Sequence, residues 1–150
     1  MDKVSREVRS RVMQSIKGKN TKPELSVRSA MHRRGFRFRL HRRDLPGTPD
    51  IVLPRYRLAI FVHGCFWHRH AGCSRATMPS TNVEYWATKF SRNQERDRCV
   101  KEALHALGWA VFEIWECEAN KPPQLAQLVD QLAARYLNDD HAIRSRPHGD

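Results

Sequence analysis

The sequence predicts an α/β fold in which a central mixed β-sheet is flanked by helices. Three observations carry this reading. Two apolar runs, DIVLP at 50–54 and RLAIFV at 57–62, stand on either side of a short turn, as in a hairpin. A long helical stretch, NVEYWATKFSRNQERDRCVKEALHAL, separates RLAIFV from a further strand, WAVFEIWEC. A strand–helix–strand crossover of this kind places its two strands parallel in one sheet. Helix signals near both ends of the chain supply cover for the two faces.

The elements follow in order. Val4, Val8, Val12 and Ile16 recur every fourth residue and predict a first helix over 5–17 with a narrow apolar stripe. KGKNTK breaks that pattern and reads as a loop. Thr21, Pro23 and Glu24 open TKPELSVRSAMHRR with a T-x-x-E capping box and a first-turn proline. Gly35 suits the left-handed stop of this helix. FRFRL at 36–40 alternates apolar and basic residues and predicts a half-exposed strand. HRRDLPGTPD is a turn-rich loop leading into the hairpin, whose turn falls at Arg55 and Tyr56. The helix after residue 82 is expected to break near Ser91 and to stop at Gly108. PPQLAQLVDQLAARYL is a last amphipathic helix entered through Pro122 and Pro123. The polar stretch 138–150 reads as a disordered tail. A chain of 150 residues holds one core, so 1–137 is expected to form a single domain.

The formal net charge is +11, and the basic residues crowd the first sixty positions. Such a field attracts a polyanion, with nucleic acid ahead of anionic membrane. No apolar run reaches membrane-spanning length, and MDKVSREVRSRV lacks a secretory apolar stretch. These features predict a cytoplasmic protein with no membrane partner. In that compartment thiols stay reduced, so the four cysteines point to metal ligation or burial.

The topology gathers chemistry at one sheet edge. If DIVLP pairs antiparallel with RLAIFV, Asp50 lies near Val62 and His63. If RLAIFV and WAVFEIWEC are parallel, their carboxyl ends coincide. The loop HGCFWHRHAGCS at 63–74 and Cys117 then meet where α/β sheets bind ligands. Cys65, His70 and Cys73 have the spacing C-x4-H-x2-C. One more thiolate completes a Cys3His structural zinc site. Cys99 and Cys117 compete for that place, and Cys117 is chosen because Cys99 lies mid-helix. His63 and His68 remain outside this set, beside Asp50. A carboxylate with free histidines suits magnesium-assisted hydrolysis, in which a histidine takes a proton from water.

Two further acids stay open between roles. Asp97 shares a helix face with Val100, Leu104 and Leu107, where a carboxylate needs a partner. It joins a helix-face ion pair, orients a histidine or binds a metal-bound water. Glu24 is a capping residue or a site residue. Phe66 and Trp67 stand between proposed ligands, and a loop pinned by those ligands is expected to turn them outward. With Trp86 they offer surfaces that stack on bases or wedge between them. Met13 flanks the stripe of the first helix and reads as core.

Taken together, TKPE, GTPDIVL, IFVHGCFWHRHAGC, EYW, N-x-x-RD and WEC resemble, in the same order, the very short patch repair endonucleases, the Vsr family. The likeness covers roughly residues 5–120, and FVHGCFWH is its most specific part. It implies a restriction-endonuclease-like fold and a magnesium-dependent, strand-specific nick 5′ to the thymine of a T:G mismatch. Such mismatches arise when 5-methylcytosine deaminates at sites made by a methyltransferase. A polymerase, with mismatch-repair proteins as further partners, completes the repair, and one monomer suffices for a single-strand cut.

The resemblance also implies residue roles. Asp50 is the central magnesium ligand, with the Val62 carbonyl as a second contact. His68 is the general base, His63 and Glu24 support it, and Asp97 acts through His68 or bound water. Cys65, His70, Cys73 and Cys117 are the zinc ligands. Phe66, Trp67 and Trp86 wedge into the DNA, and Met13 enters from the minor groove on a DNA-contacting region spanning 1–20. The chain lacks the second acid and the lysine of the usual nuclease motif, and FVH stands in their place. A non-catalytic, zinc-stabilised DNA-binding protein and a less selective restriction-type nuclease are the alternative readings.

Overall fold

The computed structural model describes residues 20–137. The helix expected over 5–17, with Met13, and the tail at 138–150 lie outside the described residues. Helix α1 spans Lys22–Arg34. Strands β1 (Arg39–Leu40), β2 (Ile51–Leu53) and β3 (Leu58–His63) follow, then α2 (Val83–Ala106), β4 (Ala110–Trp115), a short helix α3 (Glu116–Ala119) and α4 (Pro122–Leu132). The sheet order is β1-β2-β3-β4. The first three strands are antiparallel, and β3 runs parallel to β4. The expected mixed sheet with helices on its faces is therefore present.

Period-two alternation decides which face each side chain meets. Ile51, Leu53, Leu58, Ile60 and Ile114 form one core with Val27 and Met31 of α1 and Leu125, Val129 and Leu132 of α4. Val52, Ala59 and Phe61 point the other way and pack with Leu104 of α2. Continuing this second set along the strands puts Asp50, His63, Glu113 and Trp115 on the α2 face. These polar groups thus extend the α2-side core toward one sheet edge. Register fixes that edge: Ile51 lies opposite Ile60, and His63 lies beside Trp115.

Helix α1 opens and closes on the expected residues. Thr21 Oγ1 accepts from the Glu24 amide at 3.4 Å. The Glu24 carboxylate, however, accepts from the amide of Asn20 at 2.8 Å. The reciprocal arm of the capping box therefore reaches one residue further back. Gly35 adopts φ 109°, and the amides of Gly35 and Phe36 bond His32 O and Met31 O. This is the Schellman closure, which needs a residue free to take the left-handed conformation.

Several expectations change. FRFRL contributes only Arg39–Leu40 to the sheet, because Phe36, 1% exposed, turns into the core directly after the cap. The hairpin connection is a 3-10 turn at Pro54–Tyr56, closed by Arg57 at φ 50°. Helix α2 runs through Ser91 without a break, since an exposed serine costs little between the buried anchors Phe90 and Leu104. WAVFEIWEC ends as a strand at Trp115, and Cys117 sits in the helical turn beyond it. The carboxylate of Glu118 reaches back to cap this turn, accepting from the Trp115 amide at 3.0 Å. Leu107 is exposed, so the face carrying Asp97 buries Leu104 but stops short of Leu107.

The loop between β1 and β2 is locked onto α2. Gly47 has φ 73°, and a Cβ placed there would meet Val100 Cγ1 at 2.5 Å. Glycine is required twice over, for the backbone conformation and for the close approach. This contact fixes the path of the chain just before Asp50. Among the described residues no helix is long and apolar enough to cross a membrane.

Candidate active site and metal centre

An open cleft of ≈ 1750 Å³ runs along α2 past the sheet edge. It exceeds the 300–1,000 Å³ or so of pockets that enclose small molecules. Asp50, His63, His68 and Asp97 line one part of it, and Trp67 and Trp86 another.

Asp50 precedes β2, and its Oδ2 accepts the amide of Val62 at 2.8 Å. The antiparallel register predicts that proximity, and the structure has it. Burial pushes the Asp50 carboxyl above its ordinary value, and the nearby Glu24 adds to this against the Val62 hydrogen bond. Glu24, 3% exposed, arrives from the first turn of α1. Its carboxylate bonds His41 Nε2 and, at 2.9 Å, Arg28 Nη2. Burial would raise Glu24, but the hydrogen bonds from Arg28 and His41 outweigh it and hold the group below the usual carboxylate value. Ligand atoms of Glu24, His41 and Asp50 lie within 4.8 Å of one another. Such a carboxylate-bearing cluster fits a hard divalent cation that keeps several waters.

Across the cleft, His68 Nδ1 lies 2.7 Å from Asp97 Oδ2. Asp97 thus faces a histidine from the loop rather than a partner on its own helix. The His63 ring lies 4.1 Å from the His68 ring and 5.3 Å from that of Trp115. Its Nε2 is 3.8 Å from Glu113 Oε1, which also holds Lys101 Nζ at 2.6 Å. The neighbouring His63, with Lys101 beside it, pulls Glu113 down to about 2 against the cost of burial.

Cys65, His70, Cys73 and Cys117 form a second cluster, with ligand atoms within 4.8 Å of one another. His70 Nδ1 is 3.7 Å from Cys65 Sγ and 3.4 Å from Cys117 Sγ. Tetrahedral zinc, with Zn–S of about 2.3 Å and Zn–N of about 2.0 Å, places sulfur and nitrogen about 3.5 Å apart. The two separations from His70 therefore match those such an ion needs. The Cys117 amide points at Cys65 Sγ at 3.4 Å, and the His70 ring stacks on Trp115 at 4.2 Å. Burial pushes the Cys65 thiol up to about 12, a cost that a bound cation reverses by stabilising thiolate. Cys73 is held down by the amide of Arg75. This Cys/His cluster is consistent with a structural metal site. Cys99 is exposed on α2 and outside the cluster.

The aromatic residues line the cleft while packing on one another and on α2. Phe66, Trp67 and Trp86 are half-buried. Phe66 meets Trp67, Trp86 and the buried Phe90 edge-on at 5.3, 5.7 and 5.1 Å. The physical reason is the shelf that α2 provides through Phe90. Arg69 locks the arrangement: its guanidinium lies 4.1 Å above Phe90 and donates to Thr77 O at 2.9 Å and Ala76 O at 3.0 Å. Lys89 Nζ lies 5.6 Å over Trp67, whose carbonyl accepts from Asn93 Nδ2 at 3.3 Å.

His41, Arg28, Lys101, Glu113 and Arg69 are site residues that sequence reasoning missed. Glu113 left a signal, as the one acid inside the apolar run WAVFEIW. His41 left none, since its place depends on a left-handed backbone at φ 46°.

The sequence model of the family "DNA mismatch endonuclease Vsr" matches residues 1–75. The Type II nicking enzyme V.XorIIP of Xanthomonas oryzae pv. oryzae is 52% identical, over 78% of this chain and 85% of its own length. The Type II nicking enzyme V.NmeAIP of Neisseria meningitidis is 42% identical over 87% of this chain and 92% of its own length. The DNA mismatch endonuclease Vsr of Escherichia coli K12 is 42% identical, over 73% and 69%. The alignments run beyond the first half of the chain and through the cleft-forming elements, and the chain belongs to the Vsr DNA mismatch endonuclease family.

Proposed function

We propose that this endonuclease nicks one strand of duplex DNA 5′ to the thymine of a T:G mismatch left by deamination of 5-methylcytosine, and so opens very short patch repair. The observation that carries the reading is one cleft shared by the Asp50 carboxylate, the His68–Asp97 pair and the Phe66–Trp67–Trp86 cluster. The names of the relatives, mismatch endonuclease and nicking enzyme, support the same substrate and outcome.

Asp97 accepts the Nδ1 proton of His68 and so leaves Nε2 as the ring's free base. His68 then takes a proton from water as that water attacks the phosphodiester and a P–O bond breaks. His63 packs on the His68 ring and sets its plane. Asp50 presents its carboxylate to the cleft, held by the Val62 amide and fenced by Glu24. Magnesium, held by Asp50 and the Val62 carbonyl, would supply positive charge for the phosphorane-like transition state. Zinc in the Cys65, His70, Cys73 and Cys117 cluster would fix the loop that carries His68 between Trp67 and Arg69. Phe66, Trp67 and Trp86 enter the duplex at the weakened pair, where unstacking costs least. Met13 joins them from the DNA-contacting region 1–20 of a single domain at 1–137.

The substrate places the enzyme in the bacterial cytoplasm, on the nucleoid when bound, as a monomer. A repair polymerase and mismatch-repair proteins act on the nicked product. Magnesium-dependent nicking of a T:G duplex, abolished by Asp50→Ala with zinc content intact, tests the assignment. Loss of zinc together with activity would instead mark Asp50 as structural.

A further inference from the structure

The three arginines of the middle of α2 divide by face. Arg98 is bound by Glu95 and, at 2.6 Å, by Glu102, and it does not line the cleft. Arg92 and Arg96 are exposed and line the cleft, and among the described residues neither makes an ion pair. Of the acids lining the cleft, Asp97 is engaged with His68, Glu113 with Lys101, and Glu24 with Arg28 and His41. Lys89, a further cation on this side of α2, lies over Trp67.

We propose that Arg92 and Arg96 clamp two neighbouring phosphates of one DNA strand and hold that strand along the floor of the cleft. Four residues of helix separate them by about 6 Å, comparable to the step from one phosphate to the next. Arg96 directly precedes Asp97, which is tied to His68 at 2.7 Å. Its phosphate is therefore next to the reacting one, while Arg92 holds the backbone one helical turn closer to the aromatic cluster. Guanidinium groups suit the task because two parallel N–H donors match two phosphate oxygens. The clamp deepens the nuclease reading and rests on it.

The test is the salt dependence of binding to a T:G duplex, measured without magnesium so that no turnover occurs. Zinc-loaded wild type is compared with Arg92→Gln, Arg96→Gln and the double variant, with Arg98→Gln as a control of equal charge change. Each phosphate contact contributes about 0.9 to the slope of log affinity against log salt. The slope is expected to fall by about 0.9 in each single variant and about 1.8 in the double, and to stay at the wild-type value in Arg98→Gln. Equal slopes in all four variants overturn the clamp, because the arginines then act only through the general field. A wild type that neither binds nor nicks the duplex would instead defeat the nuclease reading on which the clamp rests.

Discussion

His68 Nδ1 and Asp97 Oδ2 stand 2.7 Å apart, one on the metal-cluster loop and the other on α2. The pair joins the two parts of the molecule that form the cleft, and it fixes which ring nitrogen of His68 is left free. His68→Ala, which removes the proposed base, is expected to lower kcat by about 10²–10⁴-fold, the usual contribution of a positioned proton acceptor. Asp97→Asn keeps the shape but not the charge, and is expected to lower kcat with little change in KM. Single-turnover nicking checks both, and an Asp97→Asn enzyme with unchanged kcat would remove Asp97 from the reaction.

Metal content separates the cysteines. Cys117→Ser is expected to lower bound zinc well below one equivalent and to reduce Tm, because the site's binding energy is folding energy. Cys99→Ser is expected to change neither, since that thiol is exposed on α2. Elemental analysis with thermal melts reads both variants. Equal zinc loss in the two would contradict the ligand set.

Glu113 predicts a pH dependence. Its carboxyl is drawn from 4.5 to about 2 in the fold, first by the neighbouring His63. A depressed acid stabilises the native state above its unfolded value, and that stability is lost as the pH falls through the folded one. Glu113→Gln is therefore expected to be less stable than wild type at neutral pH by about 1–2 kcal/mol. The gap should narrow as the pH drops from 4.5 toward about 2. Denaturant melts across that range measure it, and a gap that widens toward acid reverses the sign.

Arg69 holds the aromatic cluster without facing the reacting groups. Arg69→Ala removes its stacking on Phe90 and its bonds to residues 76 and 77. The expected result is about a tenfold rise in KM for the mismatched duplex, equivalent to the loss of about 1.4 kcal/mol of binding. kcat and zinc content should hold. Fluorescence of a base analogue beside the mismatch reports unstacking directly and should weaken in parallel. A variant that loses kcat alone would place Arg69 elsewhere in the mechanism.

The sheet and its active edge are legible in the sequence because they rest on periodicity and connectivity. Alternation in DIVLP and RLAIFV and the helical crossover to WAVFEIWEC suffice to bring Asp50 to Val62 and Cys117 to the loop. Spacing alone did not separate His70 from His68, since both lie between Cys65 and Cys73, and the fold does so by bringing His70 to the cysteines and His68 to Asp97. Groups placed by irregular backbone were hidden: His41 at φ 46° and the helical turn that presents Cys117. The half-buried state of Phe66 and Trp67 was hidden too, since it depends on Phe90, more than twenty residues away, being brought beneath them.

The most direct test is a nicking assay with magnesium on two duplexes that differ only by one T:G pair. The account predicts a single cut in the thymine strand, 5′ to the mismatched thymine, with the matched duplex and the complementary strand left intact. Equal cutting of both duplexes, or cutting of both strands, would contradict it.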